Sequence, residues 1–227
     1  MAYNHATGKL LLVSRAGGGA WVAILDSTTG EDMGSLDVTS IPSSGAGTFA
    51  VNLIGVSEDG AIYVCNMTTN SATTPFRVYR WAGEAASPTI AYMGDPACGL
   101  GSPDDRGLRF GDTMAIRGGG TNTQILVASY GANYVSLLTT TNGSQFTAHF
   151  IQTDAPNAAP GDGPFRLGLA FVSEPTSLNR FWGKGSTNAP LRVLQFDLSA
   201  SSATTLNSYG EYDHFPLTVG PIGVNPT

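Results

Sequence analysis

Apolar residues in this chain come in short runs, broken by glycine, asparagine, aspartate and serine, and nowhere in the 3.6-residue rhythm of an amphipathic helix. Runs of about four to eight residues, rich in β-branched and aromatic side chains, are strand signals. They predict a first set at Ala2–Asn4, Leu10–Ser14, Trp21–Leu25 and Met33–Leu36. A second set falls at Leu53–Val56, Ile62–Cys65, Phe76–Trp81 and Thr89–Met93. A third falls at Thr113–Ile116, Ile125–Ser129, Tyr134–Thr139 and Phe146–Ile151, and a fourth at Leu167–Val172, Phe181–Trp182, Leu191–Phe196 and Ala203–Asn207.

The sets share an opening: a small residue, then a β-branched or aromatic one. Ala2-Tyr3, Gly55-Val56, Ala115-Ile116 and Ala170-Phe171 carry it, and Gly223-Val224 repeats it near the end, with spacings of 53 to 60 residues. A repeat of roughly this length built only of strands is the signature of a β-propeller blade. The expected fold is therefore all-β, a propeller of four four-stranded antiparallel repeats plus one extra C-terminal strand. The repeats run at approximately 1–47, 48–106, 107–162 and 163–218, with 219–227 starting another, all in a single domain over 1–227. Small residues suit innermost strands, which crowd around an axis. The chain opens and ends on such strands, which would claim one slot if four blades closed. An incomplete ring is expected; the alternative is a closed four-blade ring with one end displaced. Trp21, Trp81 and Trp182 lie on strands amid apolar neighbours, and at least two are expected to be mostly buried between sheets.

Composition suits this picture. Only 12% of the 227 residues are charged and 29 are glycine, a mix for many short strands and turns. The net charge is −6, with lysine only at positions 9 and 184, so no basic patch exists to neutralise a phosphate backbone, and nucleic acid is not an expected partner. No run has the length of a membrane span, and the first 20 residues lack a signal-peptide core. Cys65 lies in an apolar strand and Cys98 in a loop; two separate thiols or one disulfide both remain open.

Candidate chemistry sits where strands meet loops. Arg15, Asn66, Ser129 and Lys184 stand at equivalent exits of the second strands, and Asn52, Arg109, Asp112 and Arg166 near the starts of inner strands. In a propeller these ends share one face, and long loops on a rigid scaffold commonly carry binding residues. Polar residues at strand exits also serve simply to satisfy loop backbone. The ligand-binding set is Arg15, Asn66, Lys184, Asp112 and Arg166. Phe49, Phe110, Phe165 and Phe215 recur at similar offsets and read as wedges between blades, with a sugar-stacking platform as the lesser alternative.

Catalytic patterns fail. There is no GxSxG and no HExxH, and Gly183-Lys184-Gly185-Ser186 lacks the upstream glycine of a P-loop. His5, His149 and His214 have no metal-ligand spacing, and Asp213-His214 beside Tyr212 reads as solvated loop charge. Asp95, Asp104 and Asp105, then Asp154 and Asp162, are acidic clusters without the ligand spacing of a calcium loop. No catalytic residue, metal or cofactor is expected.

Several phrases carry a resemblance. Ala2-Tyr3-Asn4-His5-Ala6-Thr7-Gly8-Lys9 through Arg15, Ile54-Gly55-Val56-Ser57-Glu58-Asp59-Gly60, Pro75-Phe76-Arg77-Val78-Tyr79-Arg80-Trp81 and Arg180-Phe181-Trp182-Gly183-Lys184-Gly185 resemble an uncharacterised family of secreted bacterial propeller domains. The resemblance covers essentially the whole chain and implies a propeller and a secreted or cell-surface location, with no activity attached. More distantly, Thr140-Thr141-Asn142-Gly143-Ser144-Gln145-Phe146-Thr147 is similar to the aspartate-box turn of sialidase-like propellers, with Asn142 where the aspartate stands. The expected function is non-enzymatic extracellular binding or assembly, with a glycan, a protein or copies of itself as partner. The alternative is a propeller enzyme acting on carbohydrate or a lactone through loop carboxylates such as Asp112 and Asp162.

Overall fold

The structure, a computed structural model, describes residues 1–15, 20–97, 108–157, 160–173, 178–186 and 189–210. The anchor at Gly223, the segment 219–227, and Cys98, Asp104, Asp105, Asp213, His214 and Phe215 lie outside them.

The described chain forms sixteen strands and one 3-10 turn, Gly120–Asn122. Among the described residues no helix is long and apolar enough to cross a membrane. The first antiparallel meander is β1 (Ala2–Asn4), β2 (Lys9–Ser14), β3 (Trp21–Asp26) and β4 (Asp32–Ser35). The second is β5 (Phe49–Val56), β6 (Ile62–Met67), β7 (Phe76–Trp81) and β8 (Thr89–Gly94). The third is β9 (Met114–Arg117), β10 (Gln124–Ala128), β11 (Tyr134–Thr140) and β12 (Phe146–Thr153). The fourth is β13 (Gly168–Phe171), β14 (Arg180–Lys184), β15 (Leu191–Asp197) and β16 (Ser202–Tyr209). Each strand overlaps a run legible in the sequence.

The expected separation into four sheets needs correction. The first two meanders are separate four-stranded sheets, but the last two join into one eight-stranded sheet, ordered β13-β14-β15-β16-β12-β11-β10-β9. The joint is short and parallel: Gln152 opposes Ser202 and Thr153 opposes Ala203. It forms on the outer edge of β12, where Gln152, paired with Tyr134 of β11 on one side, meets β16 on the other. Gln152 N–H donates to Ser201 O at 2.9 Å, and the Asp154 carboxylate accepts from Thr205 N–H at 2.9 Å. Outer-strand backbone groups that would otherwise face water are paired.

Consecutive meanders pack face to face, with a separate apolar layer at each junction. Leu11, Val22, Ile24 and Leu36 of the first meet Val51, Ile62, Val64, Tyr79 and Trp81 of the second. Tyr63, Cys65, Phe76 and Val78 of the second meet Ile125, Val127, Tyr134 and Leu138 of the third. Leu126, Ala128, Val135 and Leu137 of the third meet Leu169, Phe171, Phe181 and Leu194 of the fourth. Successive residues of one strand serve opposite layers, as the two-residue strand period requires. The first strands line up: β1 lies against β5, β5 against β9, and β9 against β13. Gly55 sits at such an approach, where an added β-carbon would come 2.7 Å from Ile116 Cδ1.

Of the three tryptophans only Trp81 is fully buried, at 0% exposure, with its indole N–H donating to Asp37 O at 2.8 Å. Trp182 is of intermediate burial but belongs to none of the layers between sheets, and Trp21 is 48% exposed, so Trp81 is the one tryptophan placed between sheets. The reason is position: Trp21 and Trp182 point to the outward faces of the first and last meanders. Cys65 is buried in β6, and burial pushes its thiol up to about 12.

Candidate functional site

The exits of β6, β10 and β14 and the starts of β9 and β13 are tied together by backbone bonds at one end of the sheets. Thr68 and Phe110 exchange N–H···O bonds of 3.0 Å, Tyr130 N–H donates to Arg109 O at 2.9 Å, Gly163 N–H to Tyr130 O at 2.8 Å, and Leu167 N–H to Lys184 O at 3.0 Å. Phe110 and Phe165 are fully buried beneath this face, consistent with wedges between sheets. Two glycines make the approach possible. Gly111 has φ +102°, and a β-carbon there would lie 2.1 Å from Asn66 O; at Gly183 it would lie 2.3 Å from Phe165 Cδ1.

Tyr130 stands at the centre. The guanidinium carbons of Arg109 and Arg166 each lie 4.2 Å from its ring centroid, so one ring serves two cations. Each arginine is also clamped by a carboxylate. Asp112 takes Arg109 in a fork, Nε to Oδ2 at 2.7 Å and Nη2 to Oδ1. Asp162 Oδ1 accepts from Arg166 Nη1 at 2.9 Å, and its Oδ2 accepts from the Ser186 hydroxyl. All four carboxylate oxygens are therefore engaged. The Asp112 hydrogen bonds push Arg109 further above its ordinary value, outweighing partial burial. Arg166 Nε is buried with no partner among the described residues. The result is a neutral, pre-organised network in which both guanidinium planes are fixed, yet each retains donors its carboxylate does not use.

The predicted residues divide. Arg166 lies against Tyr130, and Asp112 is joined to the same ring through Arg109. Lys184 follows close by: its backbone pairs with Leu167, its Nζ donates to Ala189 O, and Ser186 two residues on reaches Asp162. Arg15 is exposed and sits apart, its guanidinium 4.6 Å from the Phe49 ring centroid. Asn66 is fully buried, its amide donating to Ala46 O at 2.6 Å and Pro75 O at 3.1 Å and accepting from Arg77 N–H at 2.8 Å. It clamps loops instead of lining a mouth. Asn52 likewise donates to Gly111 O. Tyr130 and Ser186 were not singled out by the sequence, although Ser129-Tyr130 occupies the β10 exit equivalent to Arg15 and Asn66; only tertiary contact reveals that two arginines share the ring. Asp154, from the acidic clusters, is spent on Thr205.

The opposite end of the sheets carries an open groove of about 640 Å³, lined in part by Glu58, Arg117, Gln124, Thr140, Leu178 and Asn179. Arg117 donates through Nε to Gln124 Oε1 at 2.7 Å and lies 4.1 Å from the Phe171 ring centroid, and burial pulls its guanidinium below its ordinary value. Among the described residues that line this groove, Glu58 is the one carboxylate.

No protein-family model matches this chain, and no curated protein matches it. Solved structures do. A DUF4623 family protein from Bacteroides eggerthii superposes with a TM-score of 0.63 over 87% of this chain and 42% of its own, at 18% identity. A protein from Lactobacillus plantarum gives 0.55 over 94% of this chain and 56% of its own, at 13% identity. The dihydro-heme d1 dehydrogenase NirN, solved in complex with DHE, gives 0.52 over 93% and 36%, at 14% identity. At these identities the likeness concerns the fold alone, and this chain spans little more than half of each of those chains at most. The sialidase-like turn stays local: Asn142 Oδ1 accepts from Ser144 N–H at 2.9 Å and Gln145 N–H at 2.8 Å, the turn chemistry an aspartate would supply.

Proposed function

We propose that this chain is a non-enzymatic extracellular binding module built from β-propeller blades, of the uncharacterised kind that the DUF4623 neighbour represents. It presents the Tyr130 face to an acidic glycan or to a protein surface carrying carboxylates. The observation that carries this reading is the engagement of every oxygen of Asp112 and Asp162. A general acid or nucleophile needs a carboxylate free to face its substrate, and these two face arginine and serine. What the network offers outward is the remaining N–H donors of two partly exposed guanidinium groups beside an aromatic ring. That arrangement suits a planar anion on a sugar or side chain. The meanders stacked through their first strands support the blade reading, as do the three neighbours.

The test is a glycan array and a titration with uronic-acid oligosaccharides, using wild type and an Arg109→Gln/Arg166→Gln variant whose fold is checked by circular dichroism. Wild type is expected to prefer acidic over neutral sugars, and the variant to lose that preference by at least about tenfold. Equal binding by both proteins would place the site elsewhere. Turnover of a glycoside or lactone by wild type would overturn the non-enzymatic reading.

A further inference from the structure

The groove at the end of the sheets opposite Tyr130 spends its polar groups differently from the turns around it. Turn aspartates and asparagines of this chain commonly bond their own backbone: Asp26, Asp37, Asn70, Asn142 and Asp197 each accept from the N–H two residues on. Asn122, exposed at the end of the 3-10 turn, does not. Neither its side chain nor the Thr121 hydroxyl beside it has a hydrogen-bond partner among the described residues. Two lining groups are half spent. Gln124 Oε1 accepts from Arg117 Nε at 2.7 Å and Glu58 Oε1 from Gly118 N–H at 3.1 Å, whereas Gln124 Nε2 and Glu58 Oε2 have no partner among the described residues. The backbone that carries these groups is held from two sides. Glu58 N–H donates to Gly118 O at 2.9 Å and Gly120 N–H to Asp59 Oδ2 at 2.9 Å, and a β-carbon on Gly143 of the β11–β12 turn would come 3.2 Å from Gly120 C. Arg117 is fixed by Gln124, by Leu178 O and by the Phe171 ring, with no carboxylate partner among the described residues. The unspent groups are therefore set in place before any ligand arrives.

We propose that this groove is a second binding site, which takes a chain of uncharged sugars. The unspent groups are amides and a hydroxyl, which donate and accept from one side chain, and a sugar hydroxyl has the same double capacity. The charges lining the groove balance: among the described residues Arg117 is its one cation and Glu58 its one carboxylate, so a polyanion gains no net attraction there. The shape suits a chain. The open volume of about 640 Å³ passes from Glu58 in the second meander, along the third, to Asn179 and Phe196 in the fourth. Leu178, 64% exposed on its rim, offers an apolar edge to the C–H face of a sugar ring. A peptide fits less well, because β10, β11, β14 and β15, the strands that border the groove, are hydrogen-bonded on both sides and leave no ladder to join. The inference does not rest on the Tyr130 reading, which concerns acidic ligands at the other end of the sheets.

Titration of the 227-residue chain with cellohexaose, xylohexaose, maltohexaose and mannohexaose tests this, read by calorimetry and by the shifts of nitrogen-labelled backbone amides. At least one sugar is expected to bind in the millimolar range or tighter, moving the amides of Gly118–Gln124 and Asn179 and leaving that of Tyr130 in place. Thr121→Ala/Asn122→Ala removes unspent groups from an exposed turn and is expected to weaken that binding by about tenfold or more. The same variant should bind uronic-acid oligosaccharides as wild type does. Circular dichroism checks its fold, and Asn122→Ala alone replaces it if the double variant fails to fold. Binding of none of the four sugars would overturn the proposal. So would undiminished binding by the variant, or shifts confined to the Tyr130 face. A random hexapeptide library that moves the groove amides where the sugars do not would replace the sugar with a peptide and overturn it as well. Failure of the uronic-acid titration alone would sink the Tyr130 reading and leave this one standing, since the two sites are read with different ligands.

Discussion

Replacing Trp81 by alanine tests how the first two sheets are held together. The indole is wholly buried among Leu11, Val22, Ile24, Ile62, Val64 and Tyr79, with residues from both sheets around it. Removing it forfeits the transfer free energy of a large side chain, about 1.5–3 kcal/mol, and leaves a cavity that a two-sided core cannot collapse into. The sum for a buried Trp→Ala change is about 3–5 kcal/mol. The indole N–H also satisfies Asp37 O at 2.8 Å, a bond worth about 1 kcal/mol. Trp81→Phe separates the parts: it retains most of the apolar volume, loses the bond, and is expected to cost about 1–3 kcal/mol. Urea unfolding followed by fluorescence and circular dichroism reads both, with the denaturant slope held constant as the check that stability alone has changed. A thermal midpoint should fall by about 2–4 °C per kcal/mol for a chain of this size. Trp21→Ala is the control: on an open face it should cost under about 1 kcal/mol. A loss below about 1 kcal/mol for Trp81→Ala, or equal losses for alanine and phenylalanine, would refute the reasoning.

Two further outcomes follow from the packing and the turns. Gly183→Ala places a β-carbon 2.3 Å from Phe165 Cδ1 and 2.8 Å from Cε1, inside a fully buried contact, and should destabilise by about 1–3 kcal/mol, with partial rescue by Phe165→Leu in urea unfolding. At Asp59 burial works against ionisation, but the Ser57 hydroxyl at 2.5 Å and the Gly120 N–H at 2.9 Å outweigh it and hold the carboxyl below its ordinary value. A lowered native pKa stabilises above the unfolded value, near pH 4, and that contribution disappears as the pH falls through the native one. Urea midpoints from pH 5 to pH 2 should therefore fall less steeply in Asp59→Asn than in wild type; parallel curves would show that Asp59 does not tie the β5–β6 turn to the Gly118–Gly120 segment.

The sequence by itself determined the strands. Apolar runs with two-residue alternation and glycine-rich turns admit no helix, so all sixteen strands overlap the runs that predict them, and the small residues at Gly55, Ala115 and Ala170 already mark the first strands of their meanders. These are local properties, set by chain geometry and by which side chains tolerate a pleat. Which faces are covered was decided only in three dimensions. Trp21 and Trp81 sit in equally apolar runs, yet one meets a neighbouring sheet and the other meets none. The same holds for the site. Asp112 and Arg166 could be placed at strand starts, but 54 residues separate them, and nothing in either stretch says that Arg166 will lie on the Tyr130 ring while Asp112 is joined to the same ring through Arg109. Asn66 reads like any polar strand-exit residue until the fold folds Ala46 and Pro75 over its amide. Local pattern carries the sign and period of each strand, whereas partnership between distant side chains is a property of packing, which a single strand cannot encode.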